Sequence, residues 1–477
     1  MLGRRSTTGD TESSRPGGRR LQFDLAVAAV ALVAGVVFIV VIPPLGGFDE
    51  PVHFLRAWQV SDGRVFPRYG SNANGTPDQF ALIPASLPAE LRTLLRDGLV
   101  SDRHGWQVYS HLGDPAPHGP RRWEGFEGTA YSPVPYIPAA FAIRVGRALG
   151  LSTLALIELA RLAQVVAYAA IVGLAMRRIG FRRPVLAVLA LAPVALIQMV
   201  AVSADSLTIA LAFLVIAEAL HLQALPSDKV GTAVLVEAAA AVIALGLGKP
   251  PYLLVGALLF LPMWRHRGRI AAALGGALGV GAGLSFGWNQ WSENHYVTQN
   301  GINVPAGSHF YAFHNVAPRD QFGYVRAHPL RFISVIGRTV ARYPGRLVHD
   351  AFAQSPTWRP PGAMVACVVV LLAAALLCSH DPLPGGRAMR LLGVGVAVAM
   401  FVSLMFLAYV GWNAVTAPRI DAFQGRYLLP VAAVIAIVVL PDLRLRSTGE
   451  RAWWVILGGS GLLAVWIAVG MARLFYV

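Results

Sequence analysis

The sequence predicts an all-α integral membrane protein of about eleven transmembrane helices, and three observations carry that expectation. Hydrophobic residues make up 55% of the 477 and charged residues only 14%, outside the range of soluble globular chains. A hydrocarbon core about 30 Å thick takes roughly 20 apolar residues per helix, and such runs recur from one end of the chain to the other. The arginines gather in connections between alternate runs, as cytoplasmic loops require. The net charge of +15 therefore reads as topology, and no nucleic-acid partner is expected.

Taken in order, residues 1–20 are expected as a basic cytoplasmic tail and residues 21–477 as a single polytopic membrane domain. The run Leu25 to Ile42 exceeds the core of a cleaved leader and no small-residue A-x-A site follows, so it reads as an uncleaved first span with the N-terminus inside. Outer loop 43–158 follows. Spans at Leu159–Met176 and Pro184–Val202 enclose Arg177, Arg178, Arg182 and Arg183. Further spans at Leu207–Leu225, Val230–Leu247, Tyr252–Trp264 and Ile270–Phe286 place Arg265, Arg267 and Arg269 inside. Outer loop 287–361 comes next. The last runs, Ala363–Leu377, Leu391–Val410, Leu428–Leu440 and Ala452–Met471, put Arg387, Arg390, Arg444, Arg446 and Arg451 inside and the C-terminus outside. The whole fits a multi-pass membrane protein.

Two segments of the outer loops, Pro133–Gly150 and Arg331–Val348, carry arginines too deep for a lipid-facing span and are expected as amphipathic interfacial helices. Cys367 and Cys378 share one apolar run eleven residues apart, about 16 Å along a helix, which excludes a bridge between them.

The unusual polar groups all fall at outer boundaries of spans. They are DEPVHFLRAW from Asp49, SAD from Ser203, GKPPY from Gly248 and QGRY from Gln424. Ionisable side chains there are costly unless they face a cavity or a partner. Pro51 opens a helix that runs to Ser61 and ends at Asp62–Gly63, leaving Asp49 and Glu50 at its N-terminus with His53 and Arg56 along it. Those carboxylates suit either a helix cap or a general base. Asp205 is equally an N-cap candidate, and Lys249 a candidate for snorkelling. Arg161 pairs in the simplest reading with Glu158 or Asp205. Arg426 has no topological role outside, so it reads as a clamp on a phosphate or diphosphate. His53, His295, His309 and His314 lie outside without a zinc spacing, although Asp49 and Glu50 leave a divalent cation open as a cofactor. Walker A, G-x-S-x-G and dinucleotide fingerprints are absent.

With DEPVHFLRA (Asp49–Ala57), SADSL (Ser203–Leu207), KPPY (Lys249–Tyr252) and QGRYLLP (Gln424–Pro430), the chain resembles a bacterial family of polytopic membrane proteins of unknown function. More distantly it is similar to the GT-C superfamily of lipid-sugar-dependent glycosyltransferases. That resemblance implies a GT-C-like fold. It also implies a catalytic acid pair at Asp49 and Glu50, with Asp205, Lys249 and Arg426 around the donor. His53, Arg56, Arg161, Tyr252, Gln424 and Tyr427 complete the expected substrate-binding set. The implied partners are a polyprenyl-phosphate sugar donor, a glycan or lipid acceptor, and membrane lipids. A carrier or flippase for a lipid-linked saccharide, or a non-catalytic envelope-assembly protein, is the alternative.

Overall fold

The computed structural model describes residues 16–71, 77–100, 105–126, 131–292, 316–356, 358–379, 381–421, 423–441 and 450–477. Most of the expected tail, together with His295, His309, His314, Arg444 and Arg446, lies outside the described residues.

Helix α1 (Pro16–Val41) ends where Pro43 and Pro44 stop the backbone ladder. Helix α2 (Glu50–Ser61) has Pro51 in its first turn and ends at Asp62, followed by Gly63 at φ +76°. The sequence reading did not foresee what comes next, a three-stranded antiparallel sheet of β1 (Arg68–Ser71), β2 (Pro77–Pro84) and β3 (Arg121–Phe126) in the order β1-β2-β3. Its strands are short and interrupted by charge, so no alternating pattern announces them. Helix α3 (Leu87–Leu95) lies between β2 and β3.

Helix α4 (Ile137–Ala148) is the first expected interfacial helix and packs on α2. Arg147 reaches Asp62 at 2.7 Å and lies 4.5 Å over the Trp58 ring, while Arg144 donates to the Ser61 carbonyl at 3.1 Å. The opposite side shows Ile137, Phe141, Val145 and Leu149, all exposed at successive helical turns.

Helix α5 (Thr153–Arg178) is capped by the Ser152 hydroxyl. Helices α6 (Arg183–Ala190) and α7 (Pro193–Val200) form one apolar unit bent by 55° ahead of Pro193, whose ring clashes with the preceding turn. Helix α8 (Ala204–Ala224) is buried almost all round and forms the centre of the bundle. Helix α9 (Thr232–Gly248) ends because Pro250 holds Lys249 extended, at φ −132° and ψ 115°. A tight helical stretch from Pro250 to Leu259 leads into α10 (Phe260–His266) and α11 (Gly268–Ser292). Then come α12 (Pro318–Ala327), α13 (Pro329–Arg342), α14 (Pro344–Ala353), α15 (Gly362–Leu377) and α16 (Gly386–Trp412). A 3₁₀ turn (Gly425–Leu428), α17 (Leu429–Val434) and α18 (Arg451–Phe475) close the chain.

Each of the eleven apolar runs is helical over most of its length. Among the described residues six helices are long and apolar enough to cross a membrane, or seven if the bent α6–α7 pair is one span. The runs at 230–247, 252–264, 363–377 and 428–440 fold as shorter apolar helices, so six of the eleven runs, or seven with the bent pair, form helices of full spanning length.

Arg161 and Arg178 stand about 26 Å apart along α5 and mark two polar layers. At the Arg178 end, that guanidinium bridges Glu218 at 3.0 Å and Glu237, and Arg183 pairs with Asp24 at 2.9 Å. Arg182 donates to the carbonyls of Ala436 at 2.7 Å, Leu440 at 2.9 Å and Pro441 at 2.8 Å, consuming the open end of the last short helix. The four polar motifs meet at the other end.

Candidate functional site

Two charged assemblies form at the Arg161 end, side by side. The first is closed. Glu50, fully buried in the first turn of α2, accepts at Oε1 from Arg161 Nε (2.8 Å) and the Val202 amide (2.9 Å). At Oε2 it accepts from Arg161 Nη2 (2.6 Å) and the Gly47 amide (2.8 Å). All its lone-pair directions are thereby occupied. The rest of the Arg161 fork donates to the Ile42 carbonyl at 2.9 Å and the Pro43 carbonyl at 2.7 Å, with Glu158 at 3.6 Å. Arg161 thus pairs chiefly with Glu50, which the spacing did not single out, and not with Asp205. The assembly fastens α1, α2, α5 and the start of α8 together.

The second assembly is open. Ser203, not Asp205, caps α8, its hydroxyl accepting from the Asp205 amide at 3.2 Å. The Asp205 carboxylate is therefore free to bind Lys249 and Arg426, the latter through Nε at 3.2 Å. Lys249 does not snorkel but is buried, brought in by the close approach of α9 to α8; a Cβ on Gly248 would sit 2.8 Å from Thr208 Oγ1. The Lys249 ammonium lies 4.1 Å from the Tyr427 ring centroid and 5.2 Å from that of Tyr131. Arg426 lies 3.7 Å over Phe48, and its Nη2 donates to the Tyr427 hydroxyl at 3.2 Å. Its backbone amide is held by Gln354 at 2.9 Å. Gly425 permits this turn to lie against α14, since a Cβ there would stand 2.4 Å from the Asp350 Cβ. Tyr252 donates to the Tyr427 carbonyl at 2.9 Å.

Asp49 stands at the rim. It occupies the N-cap position of α2 at φ 54° and ψ 22°, in the left-handed region that a non-glycine residue rarely adopts, and its side chain makes no capping bond. The carboxylate is 66% exposed and lies 3.9 Å from Arg426 Nη2. Arg426 Nη1 is buried without a hydrogen-bond partner. One carboxylate thus faces two buried cations, and a donor remains unsaturated beside an exposed base. With Asp49 counted, two carboxylates balance two cations, and the feature left open is the unsaturated Arg426 donor, a group that bonds anionic oxygens well.

His53 lies behind the cluster, its Nδ1 2.6 Å from the Tyr136 hydroxyl and its ring stacked 5.9 Å from Tyr131. Burial lowers its pKa to about 3 against the opposing pull of Asp205, with Lys249 and Arg426 adding to the fall, so the ring is neutral. The remaining expected residues do not reach the cluster. Arg56 is buried and turns toward the loop after α2, bonding Gln59 at 3.0 Å and the Val65 carbonyl at 2.8 Å. The Gln424 side-chain oxygen is buried without a partner, two residues before Arg426. Metal binding by Asp49 and Glu50 jointly would need the Glu50 oxygens that Arg161 already holds. No cluster of three or more His, Cys, Asp or Glu suited to a metal occurs among the described residues.

Sequence reasoning missed Phe48 and Gln354. Phe48 sits inside the GGFDEP stretch, but nothing there marks it as the floor beneath an arginine more than 370 positions later. Gln354 carries no local signal.

A bundle of long apolar helices with a charged cluster at one end defines a multi-pass membrane protein. The chain belongs to the family described as Predicted membrane protein (DUF2142), which matches residues 32–435. No curated protein and no solved structure matches it.

Proposed function

We propose that this protein is a membrane glycosyltransferase of the GT-C type. It would move a sugar from a polyprenyl-phosphate donor to an envelope glycan or lipid acceptor, on the outer face of a bacterial cytoplasmic membrane. One observation carries the reading: the uncapped, exposed carboxylate of Asp49 stands 3.9 Å from Arg426, whose buried fork keeps one donor free.

In this mechanism Asp49 takes the proton of the acceptor hydroxyl. The resulting oxygen attacks the anomeric carbon, the bond from that carbon to the phosphate oxygen breaks, and polyprenyl phosphate leaves with the electron pair and an inverted product forms. Arg426 and Lys249 stabilise the charge that grows on the departing phosphate. Asp205 positions both cations. Glu50 and Arg161 act as positioning residues that hold the backbone on either side of Asp49, and neutral His53 backs the Tyr131 ring without adding a third cation. The test is transfer from a polyprenyl-phosphate sugar by purified protein, where Asp49→Asn lowers the rate by roughly 10²–10⁴. Wild-type transfer by a stably folded Asp49→Asn variant refutes the assignment.

A carrier or flippase for lipid-linked saccharide has one observation in its favour, the fully buried Glu218 on central helix α8, in contact with Arg178. Movement of a lipid-linked saccharide across vesicles holding the protein, lost in Glu218→Gln and kept in Asp49→Asn, would favour that reading.

A further inference from the structure

The segment α12–α14 carries Arg319, Arg326, Arg331, Arg338, Arg342 and Arg346 against Asp320 and Asp350. Helix α13 explains how this charge is displayed. One arc is buried, formed by Phe332, Val335, Ile336 and Thr339, with Phe332 stacked 5.6 Å from Tyr409 and edge-on to Phe406 at 5.9 Å. The remaining circumference divides in two. At 3.6 residues per turn, Leu330, Ile333, Gly337 and Ala341 fall within an arc of about 80°. All four are exposed, Leu330 by 83% and Ile333 by 57%. Arg331, Arg338 and Arg342 fall within about 40° on the adjoining flank and are exposed as well.

A helix already anchored by one apolar arc gains nothing from a second that faces water. Nor is the arginine ridge neutralised by the protein. Among the described residues Arg346 pairs with Asp350 at 3.3 Å, whereas Arg331 contacts the Tyr324 hydroxyl at 3.4 Å and Arg342 the Tyr343 ring at 5.8 Å. An exposed apolar arc flanked by unneutralised cations is the arrangement of a helix lying in the headgroup layer. We infer that the exposed face of α12–α14 docks on anionic phospholipid headgroups, with the Leu330–Ile333 arc dipping toward the acyl chains and the Arg331–Arg338–Arg342 ridge holding phosphates.

This contact would bear directly on the charged site. Thr339 Oγ1 accepts from the Ile420 amide at 3.0 Å, Tyr343 donates to Asp421 at 3.2 Å, and α14 lies against Gly425 and braces the Arg426 amide through Gln354. The lipid surface therefore steadies the platform on which the Arg426 turn rests, whatever reaction the site performs.

The experiment titrates full-length protein in neutral detergent with phosphatidylglycerol or phosphatidylcholine, reading bound lipid by native mass spectrometry. Wild type prefers phosphatidylglycerol. The variant R331Q/R338Q/R342Q loses roughly 100-fold in that affinity, about fivefold per arginine, with phosphatidylcholine unchanged. Equal phosphatidylglycerol binding by wild type and variant overturns the inference. So does displacement of the lipid by inorganic phosphate at matching concentration, which would indicate a discrete anion pocket. A second measurement does not depend on the triple variant folding. Ser334→Cys, in a chain with Cys367 and Cys378 replaced by Ala, carries a polarity-sensitive fluorophore in phosphatidylglycerol nanodiscs. Emission and spin-label quenching typical of headgroup depth are expected, and a fully aqueous spectrum overturns the docking.

Discussion

Glu50 and Asp49 are neighbours in sequence with opposite fates. Glu50 is buried, doubly bridged to Arg161 and saturated by the amides of Gly47 and Val202. Asp49 is two-thirds exposed, caps nothing, and faces an arginine with an unsatisfied donor. The left-handed backbone at Asp49 separates them, sending consecutive side chains to different environments. A buried ion pair with every hydrogen bond made is a fastening; one with an unfilled donor beside an exposed carboxylate keeps hydrogen-bonding capacity unused.

The largest expected effect breaks the closed assembly. Glu50→Gln leaves the buried Arg161 guanidinium without its chief counter-charge, a loss of about 3–5 kcal/mol that should appear as a sharp fall in the thermal unfolding temperature in detergent. An unchanged melting curve would show that Glu50 is not the fastening described here. Asp49→Asn is the contrasting case, shifting stability by no more than about 0.5 kcal/mol while removing two to four orders of magnitude in transfer rate. Arg426→Lys sharpens the role of the fork: it keeps the charge but loses the planar donors, so retention of polyprenyl phosphate should weaken roughly 10- to 100-fold with the fold intact.

The effect smallest at neutral pH, and felt only on acidification, concerns His53. Its folded pKa of about 3 lies below the ordinary 6.5, so the unfolded chain binds the extra proton between those values. Stability is then fully present above pH 6.5 and falls progressively as pH drops toward 3. His53→Gln should flatten that part of the acid limb in a pH series of melting temperatures, and an unaltered slope would move the acid sensitivity to another group.

Much of the site was legible because membranes make charge expensive. Asp205, Lys249 and Arg426 stand out in apolar surroundings, and their meeting follows from a shared membrane boundary. Their partners were less legible. SADS reads as a cap at Asp205, and only the backbone geometry gives that role to Ser203 and frees the Asp205 carboxylate. The Arg161 partner lies 111 positions away, beyond any helical spacing rule, so proximity along the chain pointed to Glu158 instead. In the fold, apolar runs marked the long helices of the bundle but not where they bend or stop, which Pro193, Pro250 and Pro441 set.

The sequence by itself determined that this is a helical membrane protein with its polar motifs at span ends, since the hydrocarbon core admits little else. Which of those charges neutralise one another, and which stays exposed, was decided by tertiary structure alone. Hydropathy measures how costly a charge is in lipid, whereas its use depends on the few ångströms between Asp49, Asp205, Lys249 and Arg426, drawn from four distant parts of the chain.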